Sequence, residues 1–350
     1  MSIGLRIQQA RRRRGLSLRD LAAREVGVSH TTLAKYERGV STPNSATLLR
    51  ISRVLGFGLD YFLRPTRIGE IRPAYRKKDG LGAREEGQII EEIRDWLERY
   101  LTAEQIRGED PHFAYPEGFP YSVRTLEEVE AAALALRAVW AIGLDPLDNL
   151  TGHLEDKGIR VGVIDAHDDF DACAFLAYVE GSVPVIVTNL RGPGDRQRYN
   201  LAHELGHLVL DVGAPLDEER ACHRFAGAFL APRSTLLEDM GERRQHLSPV
   251  ELFVLKQKYG VSMGALVHRA RDLGIIKEAE KKRLYDDLQE LGWKVEEPGG
   301  PIEHPTRFRV LVLQALAENL IGQRRAAELY KEGPLATDEE RRVLKHLVTA

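Results

Sequence analysis

Cysteine is nearly absent from this chain, with Cys173 and Cys222 the only two among 350 residues. Two thiols cannot build a disulfide framework, so a small cross-linked extracellular fold is excluded and packing must supply the stability. Long apolar runs are missing too. Ala131–Leu144 is interrupted by Arg137 and falls short of the roughly 20 residues that span a bilayer. The basic run Arg11–Arg14 leads into Gly15-Leu16-Ser17-Leu18-Arg19, not into an apolar signal core. Repeats and low-complexity tracts are likewise absent. A cytoplasmic protein without a membrane partner is expected.

What is present is charge, unevenly placed. The net charge of −3 conceals a basic start, because residues 1–78 carry 17 Lys/Arg against 5 Asp/Glu. The rest of the chain carries 33 against 48. A basic block this compact points to a polyanion, and duplex DNA is the expected partner.

The length suits two or three domains. Residues 1–65 read as short helices separated by Gly and Ser. Residues 66–121 read as a helical connector, with Pro65 just ahead of it and Pro73, Pro111, Pro116 and Pro120 around one amphipathic stretch, Gln88–Tyr100. Residues 122–275 alternate between helix and strand patterns. A helix is expected near 126–142, strands at 159–164, 174–179 and 183–188, and an apolar helix from 195 to 209 after a Gly-Pro-Gly turn. Residues 276–350 read as helical, broken by Gly-Gly-Pro at 299–301. The expected fold is multidomain: an all-α domain, then an α+β domain with a short sheet packed on helices, then a helical C-terminal tail.

In the first domain Ser17 caps one helix, Gly27-Val28-Ser29 turns the chain, and Ser29 caps a second helix that Gly39 ends. This is the helix-turn-helix pattern. Leu33 and Tyr36 fall on one face of the second helix, able to pack with Val28 and Leu21. His30, Thr31, Thr32 and Lys35 then face outward beside Ser29, where base edges are read in the major groove. Arg38 and the run Arg11–Arg14, Arg12 among them, are placed for phosphates. The run Gly15-Leu16-Ser17 … Leu21-Ala22 … Gly27-Val28-Ser29 … Tyr36-Glu37-Arg38-Gly39 resembles the phage-repressor (XRE) helix-turn-helix family over about 65 residues. Leu18 stands where that family often has Gln, and Ala23-Arg24-Glu25-Val26 is one residue longer than usual. One such module reads few base pairs, so a homodimer on a palindrome is expected.

His203-Glu204-Leu205-Gly206-His207 carries the chemistry. Histidines at i and i+4 of a helix project from one face toward one point and can hold Zn²⁺. Glu204 stands where its carboxylate can meet a metal-bound water, whose pKa zinc lowers toward about 7, and act as general base. Downstream, residues 217–230 read as another helix, with Glu219 and His223 four apart. Glu219 suits a third ligand with His223 bonded to a ligating group, and Glu218 is the alternative. The run Arg198-Tyr199-Asn200-Leu201-Ala202 before the motif, and Glu-x-x-x-His-x-Phe-Ala after it, resemble the ImmA/IrrE metallopeptidases over residues 122–275. That resemblance implies a zincin-like α+β domain with a downstream Glu as third ligand, and an Asn or Asp commonly stands where His223 does. It also implies a narrow protein substrate, typically a transcriptional repressor. Mn²⁺ suits the same ligands. Tyr259, His246 and His268 are candidates by type for an electrophilic donor, and Cys222 reads as a small buried residue. The expected function is a zinc endopeptidase coupled to DNA binding; its rivals are a non-catalytic regulator and an antitoxin-like protein that use the fold as a sensor.

Overall fold

The computed structural model describes residues 3–64, 68, 71, 74–77, 81–109, 113–178, 182–293, 297–299 and 303–330. Five helices come first: α1 Ile3–Arg13, α2 Leu18–Ala22, α3 His30–Glu37, α4 Ser45–Leu55 and α5 Leu59–Leu63. Their starts are set by side-chain caps. Ser17 and Asp20 form a reciprocal capping box on α2, Ser29 caps α3, and Asn44 caps α4. Ile7, Leu21, Leu33, Ile51, Leu55 and Phe62 close a separate small core. Gly4 lets α1 lie directly on α3: a Cβ there would stand 1.8 Å from the Tyr36 carbonyl oxygen.

Residues 66–121, expected as a connector, contribute to the next domain. They hold strand β1 Ala74–Lys77, helix α6 Ala83–Arg107 and the first residue of strand β2 Tyr121–Val123. Pro65, Pro73 and Pro111 lie outside the described residues, as do residues 300 and 301 of the Gly-Gly-Pro break and the last twenty residues of the tail. After α7 Leu126–Val139 and α8 Leu150–Asp156 come β3 Arg160–Ile164, β4 Phe170–Tyr178 and β5 Ser182–Asn189. The four-stranded sheet has the order β1-β4-β5-β3. β4 and β5 form an antiparallel hairpin, with Ala174 opposite Ile186, and β3 runs parallel to β5, with Arg160 opposite Val185. Helix α9 Gly194–Val209 follows, then β6 Leu210–Val212, which pairs with β2 in parallel.

Strand alternation divides the sheet between two cores. Val161, Ala174 and Ile186 pack with Leu201, Ala202 and Leu205 of α9. Cys173, Phe175, Val185 and Val187 pack with Ile89, Ile93, Trp96 and Leu97 of α6. Central β5 is therefore covered on both faces, which its β-branched run suits. The remaining helices are α10 Glu218–Leu230, α11 Arg233–Met240, α12 Pro249–Tyr259, α13 Met263–Asp272, α14 Glu278–Glu290, α15 Arg307–Ala317 and α16 Gln323–Tyr330.

Helix α6 also carries the first domain. Arg6 pairs with Glu98 at 2.7 Å, and Arg13 pairs with Glu92 at 2.5 Å and Asp95 at 2.9 Å. Two residues after Glu98, Tyr100 stacks on Phe308 of α15, their centroids 5.2 Å apart. Glu155, at the end of α8, accepts the Thr306 and Arg307 backbone N–H groups that open α15. Among the described residues no helix is long and apolar enough to cross a membrane.

Candidate metal centre

Helix α9 is seated before any chemistry is considered. The Gln197 amide donates to the carbonyls of Asn189, Leu190 and Gly192, tying the helix to the end of β5. Asp195, in its first turn, is buried against the ammonium of Lys256. Leu201, Ala202, Leu205 and Val209 fix the face turned to the core. Gly206 sets how close α10 can come: a Cβ there would stand 3.2 Å from the Cys222 Cα. The glycine between the two histidines thus admits the helix that bears Glu219.

The crossing brings three donors together. The ligand atoms of His203, His207 and Glu219 all lie within 4.8 Å of one another. Glu219 Oε2 is 3.4 Å from His203 Nε2, and its Oε1 is 3.3 Å from His207 Nε2. The two imidazoles, 5.0 Å between centroids, are nearly perpendicular at 72°. Two nitrogens and a carboxylate converging on one point fit a divalent cation such as zinc, and His203, which is buried, is costly to bury without a partner of this kind.

Glu218 does something else. Its Oε1 lies 3.0 Å from Nδ1 of His207, on the opposite side of that ring from Glu219. Glu204 is buried beside His203. Its charge is felt by the thiols of Cys173 and Cys222. Burial pushes both thiols well above their ordinary range, with Glu218 and Glu219 adding to the effect on Cys222.

His223 lies with its ring 4.5 Å from that of His203. Tyr199, from the run that precedes the histidine motif, joins it. Its hydroxyl donates to the His223 carbonyl at 3.1 Å and sits 3.3 Å from His223 Nδ1. The signal was there, because Tyr199 precedes His203 by four residues and shares its helix face. Tyr259 and His246 stand away from the cleft: Tyr259 donates to Asp239 at 2.6 Å and His246 lies 3.3 Å from Glu280. His268 borders it, 3.4 Å from Asp272. The cleft beside the centre, about 1220 Å³, is framed by α9, α10, α13 and α14.

On α3, the Ser29 hydroxyl accepts from Thr32 N–H and lies 2.8 Å and 3.0 Å from the hydroxyls of Thr31 and Thr32. His30, Thr31, Lys35 and Arg38 are exposed, and Thr32 is half-buried. The arginine run divides. Arg11 makes a two-pronged pair with Glu37, Arg13 faces α6, and Arg14 donates to the Leu55 carbonyl. Arg12 is exposed and, among the described residues, makes no such bond.

Comparison with known proteins divides the chain in the same way. Residues 7–62 match the helix-turn-helix family, and residues 155–271 match the IrrE N-terminal-like domain, a peptidase family. The HTH-type transcriptional regulator ImmR of Bacillus subtilis (strain 168) is 27% identical over 95 residues, which is 27% of this chain and 70% of that protein.

Proposed function

We propose that this chain, which joins an XRE-type helix-turn-helix domain to an IrrE-like metallopeptidase domain, is a zinc-dependent endopeptidase that cleaves a transcriptional repressor and is directed by DNA. The observation that carries the reading is the convergence of His203, His207 and Glu219, with Glu204, the next residue after His203, buried on the same helix. A zinc ion held by those three residues would polarise a peptide carbonyl and make a bound water acidic near neutral pH. Manganese suits the same nitrogen and oxygen donors.

The chain's own residues supply the rest. Glu204 takes the proton of the attacking water and returns it to the leaving amide nitrogen. Glu218 holds the His207 ring through Nδ1. Tyr199 holds His223, whose ring packs against His203. These contacts limit the freedom of the imidazoles before a substrate arrives. The cleft, about 1220 Å³, is larger than the roughly 300–1,000 Å³ of small-molecule pockets. At the other end of the chain, His30, Thr31, Thr32 and Lys35 present base-reading groups, with Ser29 at the helix start and Arg12 and Arg38 toward phosphates. A homodimer on a palindromic site fits this arrangement.

The test is mass spectrometry of repressor proteins encoded beside this one, incubated with zinc-loaded full-length protein and with Glu204→Gln. Cleavage is expected to fall by about 10²–10⁴-fold in the variant while its zinc content is retained. Equal cleavage by both proteins, or none by either, sinks the reading.

A further inference from the structure

Two cations border the cleft with no side-chain partner among the described residues. Arg196 lies one turn before Asn200 on α9, and Arg220 directly follows Glu219 on α10. Both are exposed. The other charges around the cleft are largely engaged. Arg224 and Arg271 pair with Asp272, and Lys281 pairs with Glu278. Asp195 faces Lys256, and Asp217 accepts the backbone N–H of Arg220 as the cap of α10, not its guanidinium.

Position adds to charge. Arg196, Asn200, His203 and His207 are spaced i, i+4, i+7 and i+11 and share one face of α9. Arg196 therefore lies about 10 Å along the axis from His203. About three residues of extended peptide cover that distance. A guanidinium presents a planar fork that matches a carboxylate, and two of them border one opening.

We propose that Arg196 and Arg220 form a carboxylate-binding subsite that selects peptide segments with an acidic group about three residues from the metal centre. The cleavage consequence rests on the peptidase reading above; the binding preference does not. The carboxylate is supplied either by an Asp or Glu side chain or by a free chain end.

Fluorescence anisotropy with zinc-loaded full-length protein tests this, with Glu204→Gln in every sample to prevent hydrolysis. Three rhodamine-labelled ten-residue peptides of Ala and Gln serve as probes. One carries a single central Glu and an amidated end, one carries Gln there with the same end, and one carries Gln with a free terminal carboxylate. The central-Glu or free-end peptide is expected to bind roughly tenfold tighter than the uncharged one at low salt. Arg196→Gln with Arg220→Gln should abolish that ratio, and each single change should reduce it. Arg233→Gln, an exposed arginine of α11 away from the cleft, should leave it intact. Which of the two peptides is favoured assigns the carboxylate to a side chain or to a chain end. Equal affinity for all three peptides, or a preference that survives the double substitution, overturns the subsite. Failure of the peptidase reading looks different: the preference persists and no cleavage depends on Glu204.

Discussion

Glu218 and His207 are joined by a contact of 3.0 Å between Oε1 and Nδ1, so Glu219 and Glu218 address opposite nitrogens of one ring. A carboxylate on the outer nitrogen fixes the tautomer and turns the inner one toward the metal position. Adjacent glutamates at the start of α10 thus make distinct contacts and, under the proposed function, take distinct tasks.

The two tasks separate by substitution. Glu219→Gln is expected to lose metal affinity most strongly, and Glu218→Gln by roughly 10–100-fold, the range for a group that orients a ligand. His223→Ala should fall in that same range. Competition against a chromophoric chelator measures all three, and a silent Glu218→Gln would remove its orienting role.

The buried carboxyl of Glu155 should make stability depend on pH. Burial pushes it up to about 7 from the usual 4.5, although backbone N–H groups of Thr306 and Arg307 donate to it. Because the folded value lies above the unfolded one, this contribution is full below about 4.5, declines as pH rises, and is lost above about 7. Urea midpoints should therefore fall across this window. Glu155→Gln should flatten that part of the profile, and an unchanged slope would show that another group is responsible.

DNA binding should distinguish neighbouring arginines. Arg12→Ala should weaken binding to every duplex and lower the salt slope by about 1. Arg13→Ala should leave the slope nearly unchanged, because its guanidinium is held by Glu92 and Asp95. Equal loss of slope in both would mean that Arg13 leaves α6 when DNA binds.

What could be read from the sequence was local. The spacing of His203 and His207 places both on one helix face wherever that helix lies, and Ser17 and Ser29 announce the starts of α2 and α3 through their own hydrogen bonds. Strand β5 declared itself by its β-branched residues, Val183 and Val185 to Thr188. Unread were relationships set by distant packing. Nothing near Ala74 reveals that it pairs with Ala174, or that α6 covers the sheet. Arg11 and Arg13 look alike in the run of four, and only the folded chain sends one to Glu37 and the other to α6. Glu218 and Glu219 are equally ambiguous until α10 crosses α9 at Gly206.

Helix α6 has one further consequence. Its 25 residues make a rod of about 37 Å, with the helix-turn-helix domain ion-paired along one side and the sheet of the IrrE-like domain packed on another. A protein clamped to an operator through α3 would therefore hold its cleft at a set compass bearing around the double helix. A repressor bound nearby would meet that cleft face-on at some spacings and from behind at others, alternating with the roughly 10.5 base pairs of each turn.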